Sequence, residues 1–207
     1  YGYNWDGLYL IATFPSRHYD IEKYPAVKNY LLGFGIERLE QTGKSHIVNG
    51  EKIKARKKTN NKWFETQDSI SYWEDFSKPK IMYPNMTKYI PFYFDEKNFL
   101  QNDKSFMITG KHIAYLTAFL NSSIFKFCFL DKFPELQGGT RELRKIFFDK
   151  IPVLKVSDKE NEIFKSLVTD IQNDYKKEKA ILIDERLFEL YGLSKEERIS
   201  IGYIEIK

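Results

Sequence analysis

The spacing of apolar residues changes along this chain, and each change predicts a different element. Residues 8–12, Leu8-Tyr9-Leu10-Ile11-Ala12, form a continuous apolar run of strand length. Pro25 suits a helix start, and residues 26–39 can continue it, with Leu31, Leu32 and Phe34 facing a core and Gly33 and Gly35 weakening the helix. Residues 41–50 are mostly polar and carry Gly43, which reads as a loop, and the basic stretch behind them reads as irregular or extended. Residues 69–76 read as a short helix that gathers Tyr72, Trp73 and Phe76. In residues 80–83, Ile81 and Tyr83 alternate with Lys80 and Met82, which predicts a strand closed by Pro84. Residues 89–94 predict a second strand, held to an edge by Pro91, and residues 105–109 a third that ends at Gly110.

From Lys111 the period becomes helical. Ile113, Leu116 and Leu120 fall on one face, as do Ile124, Phe127 and Leu130, with Asn121-Ser122-Ser123 between them as a cap. Two consecutive helices, or one bent helix, are expected to pack on the sheet. Gln137-Gly138-Gly139-Thr140 is a turn, after which Ile146-Phe147-Phe148 and Ile151-Pro152-Val153 return to the core. Beyond Lys155 the chain is charged and periodic, with Ile163, Leu167, Ile171 and Tyr175 stepping by four. Gly192 is placed to end a helix, and Ser194 with Glu197 forms a capping box for the next. The expected fold class is α+β: a small mixed β-sheet with packed helices over residues 1–155. A helical C-terminal extension, residues 156–207, packs on it or on a catalytic part outside this chain.

Composition narrows the class. With 207 residues the chain can bury one core plus a helical appendage. No apolar run reaches membrane-spanning length and the start is not a signal peptide, so no membrane partner is expected. Cys128 is the only cysteine, which excludes an internal disulfide and a thiolate zinc site and suits a cytoplasmic protein. The opening at Tyr1, inside what reads as folded sequence, suggests a piece of a longer polypeptide. Net charge is +4, unevenly spread: residues 158–207 carry −3 and residues 1–157 carry +7. A polyanionic partner would therefore meet the first three-quarters of the chain.

The basic excess peaks at Lys52, Lys54, Arg56, Lys57, Lys58 and Lys62, followed by Trp63-Phe64 and Gln67. Cations neutralise phosphates, and planar or amide groups meet base edges. Arg56 is the leading candidate, because arginine offers a planar fork to guanine or phosphate. Trp63 is a candidate wedge and Gln67 an amide for adenine, against the plain reading of a solvated loop with one aromatic in the core. Lys78, Asn85 and Lys88 flank the residue 80–84 strand and can reach a backbone. Gly139 and Thr140 let main-chain amides approach a phosphate, and Arg141 and Arg144 would lie one helical turn apart. The bland reading there is a turn and a charged helix face.

Catalytic chemistry is missing. There is no Pro-Pro pair to build the Asn-Pro-Pro-Tyr type tetrapeptide that holds a flipped adenine. Gly33-Phe34-Gly35 has the look of a cofactor-loop fragment but sits in a predicted helix. No Pro-Asp dipeptide accompanies the Glu205-Ile206-Lys207 end, His18, His46 and His112 are scattered, and Cys128 lies on an apolar helical run.

Several short motifs in order resemble the C-terminal specificity domain of TaqI-like and Eco57I-like adenine-N6 DNA methyltransferases, many of them fused restriction-modification enzymes. They are Ala12-Thr13-Phe14-Pro15, Tyr24-Pro25-Ala26-Val27, the stretch from Arg56 to Gln67, Lys80-Ile81-Met82-Tyr83-Pro84 and Leu120-Asn121-Ser122. Gly138-Gly139-Thr140, Ile151-Pro152 and Ile183-Asp184 leading to Leu190-Tyr191-Gly192-Leu193 continue the series over nearly the whole chain. The resemblance implies a target-recognition domain for double-stranded DNA. Its partner would be an upstream methyltransferase domain of the same polypeptide, with S-adenosylmethionine, and magnesium for any nuclease, bound by the parent and no cofactor by this chain. A general nucleic-acid module for RNA or single strands, and a non-catalytic protein-interaction domain, are the alternative classes.

Overall fold

The computed structural model describes residues 5–204, so Tyr1 and Glu205-Ile206-Lys207 lie outside the described residues. The chain divides into two compact units, one formed by Gly7–Trp73 and the other built from Glu74 onward.

In the first unit, Pro25 occupies the opening position of α1 (Pro25–Leu32), where its missing N–H has no partner to lose. Gly35, at φ 88°, then turns the chain into the left-handed region and α2 (Ile36–Leu39) restarts behind it. Residues 26–39 are thus two short helices, and Leu32 and Phe34, expected inside, are exposed. The apolar residues 8–12 form no strand, and Leu8 to Ile11 face solvent. Apolar character makes a strand only where another edge accepts its backbone. The opposite happens in residues 41–50, where the expected loop contains a hairpin. β1 (Ser45–Val48) pairs antiparallel with β2 (Glu51–Lys54), with Ile47 opposite Lys52 and Ser45 opposite Lys54. Asn49 and Gly50, at φ 50° and 82°, make the tight turn whose twist matches such a ribbon.

In the second unit a 3-10 turn at Trp73–Ser77 replaces the helix expected over residues 69–76; it buries Phe76 and leaves Tyr72 exposed. β3 (Lys80–Pro84) is followed by β4 (Met86–Thr87), β5 (Tyr93–Asp95) and β6 (Ser105–Thr109). β3 lies between β5 and β6, and both pairings are antiparallel. The sheet expected to be mixed is therefore antiparallel, in an α+β fold. β5, preceded by Pro91, is an edge as predicted, and Gln172 covers it. That amide accepts the N–H of Phe94 (2.8 Å) and donates to its carbonyl (3.0 Å), as a neighbouring strand would.

Residues 80–83 do not alternate between core and solvent; all four are buried. Lys80 and Asp95, cross-strand partners, are both 0 % exposed and form an ion pair. The Lys80 ammonium also donates to the Phe76 carbonyl (2.7 Å), while the Asp95 carboxylate accepts the N–H groups of Lys97 (2.9 Å) and Phe99 (3.0 Å).

Two consecutive helices follow, α3 (Ile113–Leu120) and α4 (Ser123–Lys132), bent 67° from one another. Ser122 caps α4 by accepting the N–H of Phe125 (3.2 Å). β7 (Arg141–Glu142) pairs with β4, and α5 (Lys145–Phe148) comes next. The helical region is α6 (Asp158–Asn173), α7 (Lys177–Leu190) and α8 (Lys195–Ile201). α6 buries Phe164, Val168 and Ile171 and packs Leu167 against the core, whereas Ile163 and Tyr175 face solvent, so the inward stripe keeps Leu167 and Ile171 of the expected four and adds Phe164 and Val168. Gly192, at φ 63°, closes α7: its N–H reaches the Glu189 carbonyl and the Leu193 N–H the Phe188 carbonyl, both at 3.0 Å. The capping box of Ser194 and Glu197 starts α8.

One apolar cluster runs from Ile81 and Phe92 through Phe119, Phe125 and Phe133 to Phe164, Leu187 and Ile204. Residues 156–204 share this core with the sheet. The buried Asp184 carboxylate ties its ends together, accepting the Ser123 N–H (2.9 Å) and the Ile204 N–H (2.7 Å). Among the described residues no single helix is long and apolar enough to cross a membrane.

Candidate nucleic-acid interface

The stretch from Arg56 to Gln67 is an ordered loop folded around its own carbonyls. Arg56, expected to offer its fork to DNA, turns it inward. Nε donates to Leu39 O (2.8 Å), Nη1 to Glu65 O (2.9 Å) and Nη2 to Trp63 O. Partial burial lowers the guanidinium pKa from its ordinary value. Gln41 does the same from the other side, donating to Lys62 O (2.9 Å) and Glu65 O (2.8 Å) and accepting from the Thr59 hydroxyl (2.5 Å). Glu65 accepts the Lys62 N–H (2.7 Å), and the Asn61 amide donates to Thr66 O (2.9 Å) and Gln67 O (3.3 Å). Thr13, from the Ala12-Thr13-Phe14-Pro15 motif, donates to Phe64 O (2.7 Å).

With the carbonyls held inside, the amines point out. Lys54, Lys57, Lys58 and Lys62 are exposed. Lys57 is paired with Asp68 (2.6 Å), and the Lys62 ammonium lies 5.7 Å from the Phe64 ring centroid. Trp63 is half-buried, edge-on to the buried Phe64 at 5.6 Å, and Gln67 is half-buried.

Arg56→Ala is therefore expected to act through the loop. Losing three charge-assisted hydrogen bonds at a partly exposed site should lower stability by about 2 kcal/mol. Arg56→Lys should not restore it, because an ammonium cannot serve three divergent carbonyls. Thermal unfolding measured beside DNA binding decides the role. Lost binding at an unchanged melting temperature would mean that the guanidinium contacts DNA itself.

A second group gathers in the other unit. β4–β7 pairing sets Thr87 opposite Arg141 and brings Lys88 to the turn, where a Cβ on Gly139 would lie 3.4 Å from Lys88 Cε. Gly138 and Gly139 hold left-handed φ values of 74° and 78° that side chains resist. Thr140 closes the turn, its carbonyl accepting the Leu136 N–H (2.7 Å) and its hydroxyl donating to Gln137 O (3.0 Å). Arg141 points inward: it donates to Phe133 O, pairs with Glu135 (3.2 Å) and lies 5.5 Å from the Phe129 ring centroid. Arg144 is exposed and paired with Glu142 (2.7 Å), whose hydrogen bond raises its pKa. The two arginines do not share a helical turn, since Arg141 is in β7 and Arg144 is the N-cap of α5. Asn85 spends its main chain on Lys104 O and the Leu143 N–H, and Lys78 is paired with Asp75 (2.6 Å). Lys88 is exposed, without a carboxylate in salt-bridge range.

Other candidates fall to structural roles. The Asn121 amide donates to Phe92 O (2.7 Å). Burial raises the Cys128 thiol pKa, which disfavours the nucleophilic thiolate. Gly33-Phe34-Gly35 is the break between α1 and α2, where a Cβ on Gly35 would lie 3.6 Å from Glu37. Among the described residues no cluster of three or more His, Cys, Asp or Glu is placed to hold a metal ion. The β1–β2 ribbon, not among the expected strands, has its sequence signal in Asn49-Gly50 between alternating positions.

A family model described as the TaqI-like C-terminal specificity domain matches residues 27–153, which takes in parts of both compact units. No curated protein matches the chain.

Proposed function

Because the chain belongs to the family of TaqI-like C-terminal specificity domains, which serve DNA recognition in restriction-modification, we propose that it binds duplex DNA and selects the target of an adenine-N6 methyltransferase domain in the same polypeptide. The observation that carries this reading is the loop behind β2, whose carbonyls are bonded inward while Lys54, Lys58 and Lys62 project without carboxylate partners. Such a surface is rigid and cationic, so it can hold a phosphate backbone without first ordering itself. Lys88 beside the Gly138-Gly139 turn offers a second phosphate contact. Arg56, Arg141 and Asn85 act as positioning residues.

The chain's own part is to bind and orient; the methyl donor S-adenosylmethionine, and magnesium for any nuclease, would be held by neighbouring domains. A single cysteine fits work in the cytoplasm.

Binding selection on randomised duplex DNA at two salt concentrations tests the reading. Lys54→Ala and Lys58→Ala should each reduce the slope of log affinity against log salt by about 0.9. Lys57→Ala, Lys78→Ala and Arg144→Ala should change it less, because Asp68, Asp75 and Glu142 already neutralise those cations. Equal affinity for single strands would favour a general nucleic-acid module, and no salt-dependent binding would overturn the proposal.

A further inference from the structure

The β1–β2 ribbon combines features that the lysine loop lacks. Strand alternation and register place Ser45 and Ile47 of β1 on the same face as Lys52 and Lys54 of β2. That face is exposed, while His46, Val48 and Ile53 on the other are half-buried. Ile47 is 81 % exposed, directly opposite Lys52. A lone exposed isoleucine needs no explanation. This one sits among lysines, on the hairpin within the most basic stretch of the chain: residues 44–62 hold seven basic residues and one acidic. Lys44, Lys52 and Lys54 have no carboxylate in salt-bridge range. An apolar tip among cations complements a phosphate-walled groove whose floor carries an apolar methyl group at thymine.

We propose that the β1–β2 ribbon enters the DNA major groove, with Ile47 against a thymine methyl group and Lys52 and Lys54 on the flanking phosphates. The inference rests on the duplex-binding reading above and adds the reading element. The major groove admits a two-stranded ribbon, and the C5 methyl of thymine is its one apolar feature. The tight Asn49-Gly50 turn lets the ribbon end without added bulk.

The test uses the full chain on the duplex motif that selection enriches, with uracil replacing thymine one position at a time to delete single methyl groups. Wild type should lose about fourfold in affinity at one position, the worth of one buried methyl-sized group. Ile47→Ala, a surface change that leaves the fold intact, should bind more weakly and show no uracil effect at that position. Lys52→Ala should lower the salt slope by about 0.9 and keep the motif. Uracil sensitivity that persists in Ile47→Ala, or is absent in wild type, overturns the ribbon assignment while duplex recognition stands. Binding without any motif does the same. Absence of salt-dependent duplex binding overturns both.

Discussion

Lys80→Met is expected to destabilise the chain by about 3–5 kcal/mol at neutral pH, the usual consequence of stranding one member of a buried ion pair. Lys80 and Asp95 face each other across β3 and β5 with no exposed surface. Methionine fills the same space but leaves the carboxylate without its cation and the Phe76 carbonyl without its donor. Asp95 cannot escape to water, because the N–H groups of Lys97 and Phe99 hold it in place. Adding Asp95→Asn removes the stranded charge while keeping an oxygen acceptor, so the double variant should be more stable than Lys80→Met alone. Urea unfolding of wild type and both variants measures this. A single variant within about 0.5 kcal/mol of wild type, the range of ordinary surface changes, would mean that the pair is not closed to water.

Asp184→Ala is the second large effect, at about 4 kcal/mol, since two buried N–H donors lose their acceptor at once. The carboxylate joins the start of α4 to the segment behind α8, so its loss should also speed amide hydrogen exchange at Ser123 and Ile204. Normal protection at both positions would refute the tie. The same group carries a pH signature. Burial raises its pKa above the usual carboxylate value, while the bonds from Ser123 and Ile204 oppose the rise. The folded state therefore binds this proton more tightly than the unfolded chain does. The resulting stability is fully present below the ordinary aspartate value of about 3.9 and is lost as pH rises through the elevated folded-state value. Asp184→Asn lacks this titration. The stability difference between wild type and Asp184→Asn should shrink or reverse with rising pH, and a constant difference across that window would contradict it.

Neighbouring cations of the candidate site point in opposite directions. Lys54, Lys58 and Lys62 were expected at the surface and are exposed. Arg56, with the same charge in the same stretch, is turned inward because the carbonyls of Leu39, Trp63 and Glu65 converge on it. Nothing about an arginine in a basic run tells a phosphate fork from a carbonyl staple, since the geometry of the donors suits either acceptor. Alternation sets Lys80 and Met82 on the face opposite Ile81 and Tyr83, but it does not tell that both faces of β3 are buried.

What the sequence by itself determined are the features whose partners lie within a few residues. Pro25 at the start of α1, Ser122 at the start of α4, Gly192 behind α7 and the capping box at Ser194 all depend on local dihedral limits or on N–H groups three or four positions away. The Asn49-Gly50 hairpin belongs with them, its signal local even where the reading missed it. Only the tertiary structure decided which cations remain for a partner, which acid is buried at Asp184, and that residues 8–11 find no strand to join. Those outcomes depend on groups far apart in sequence, as Ser123 and Asp184 are, 61 residues apart. A buried charge or a backbone N–H is satisfied by whatever the closed chain brings to it, and composition and periodicity carry no record of that meeting.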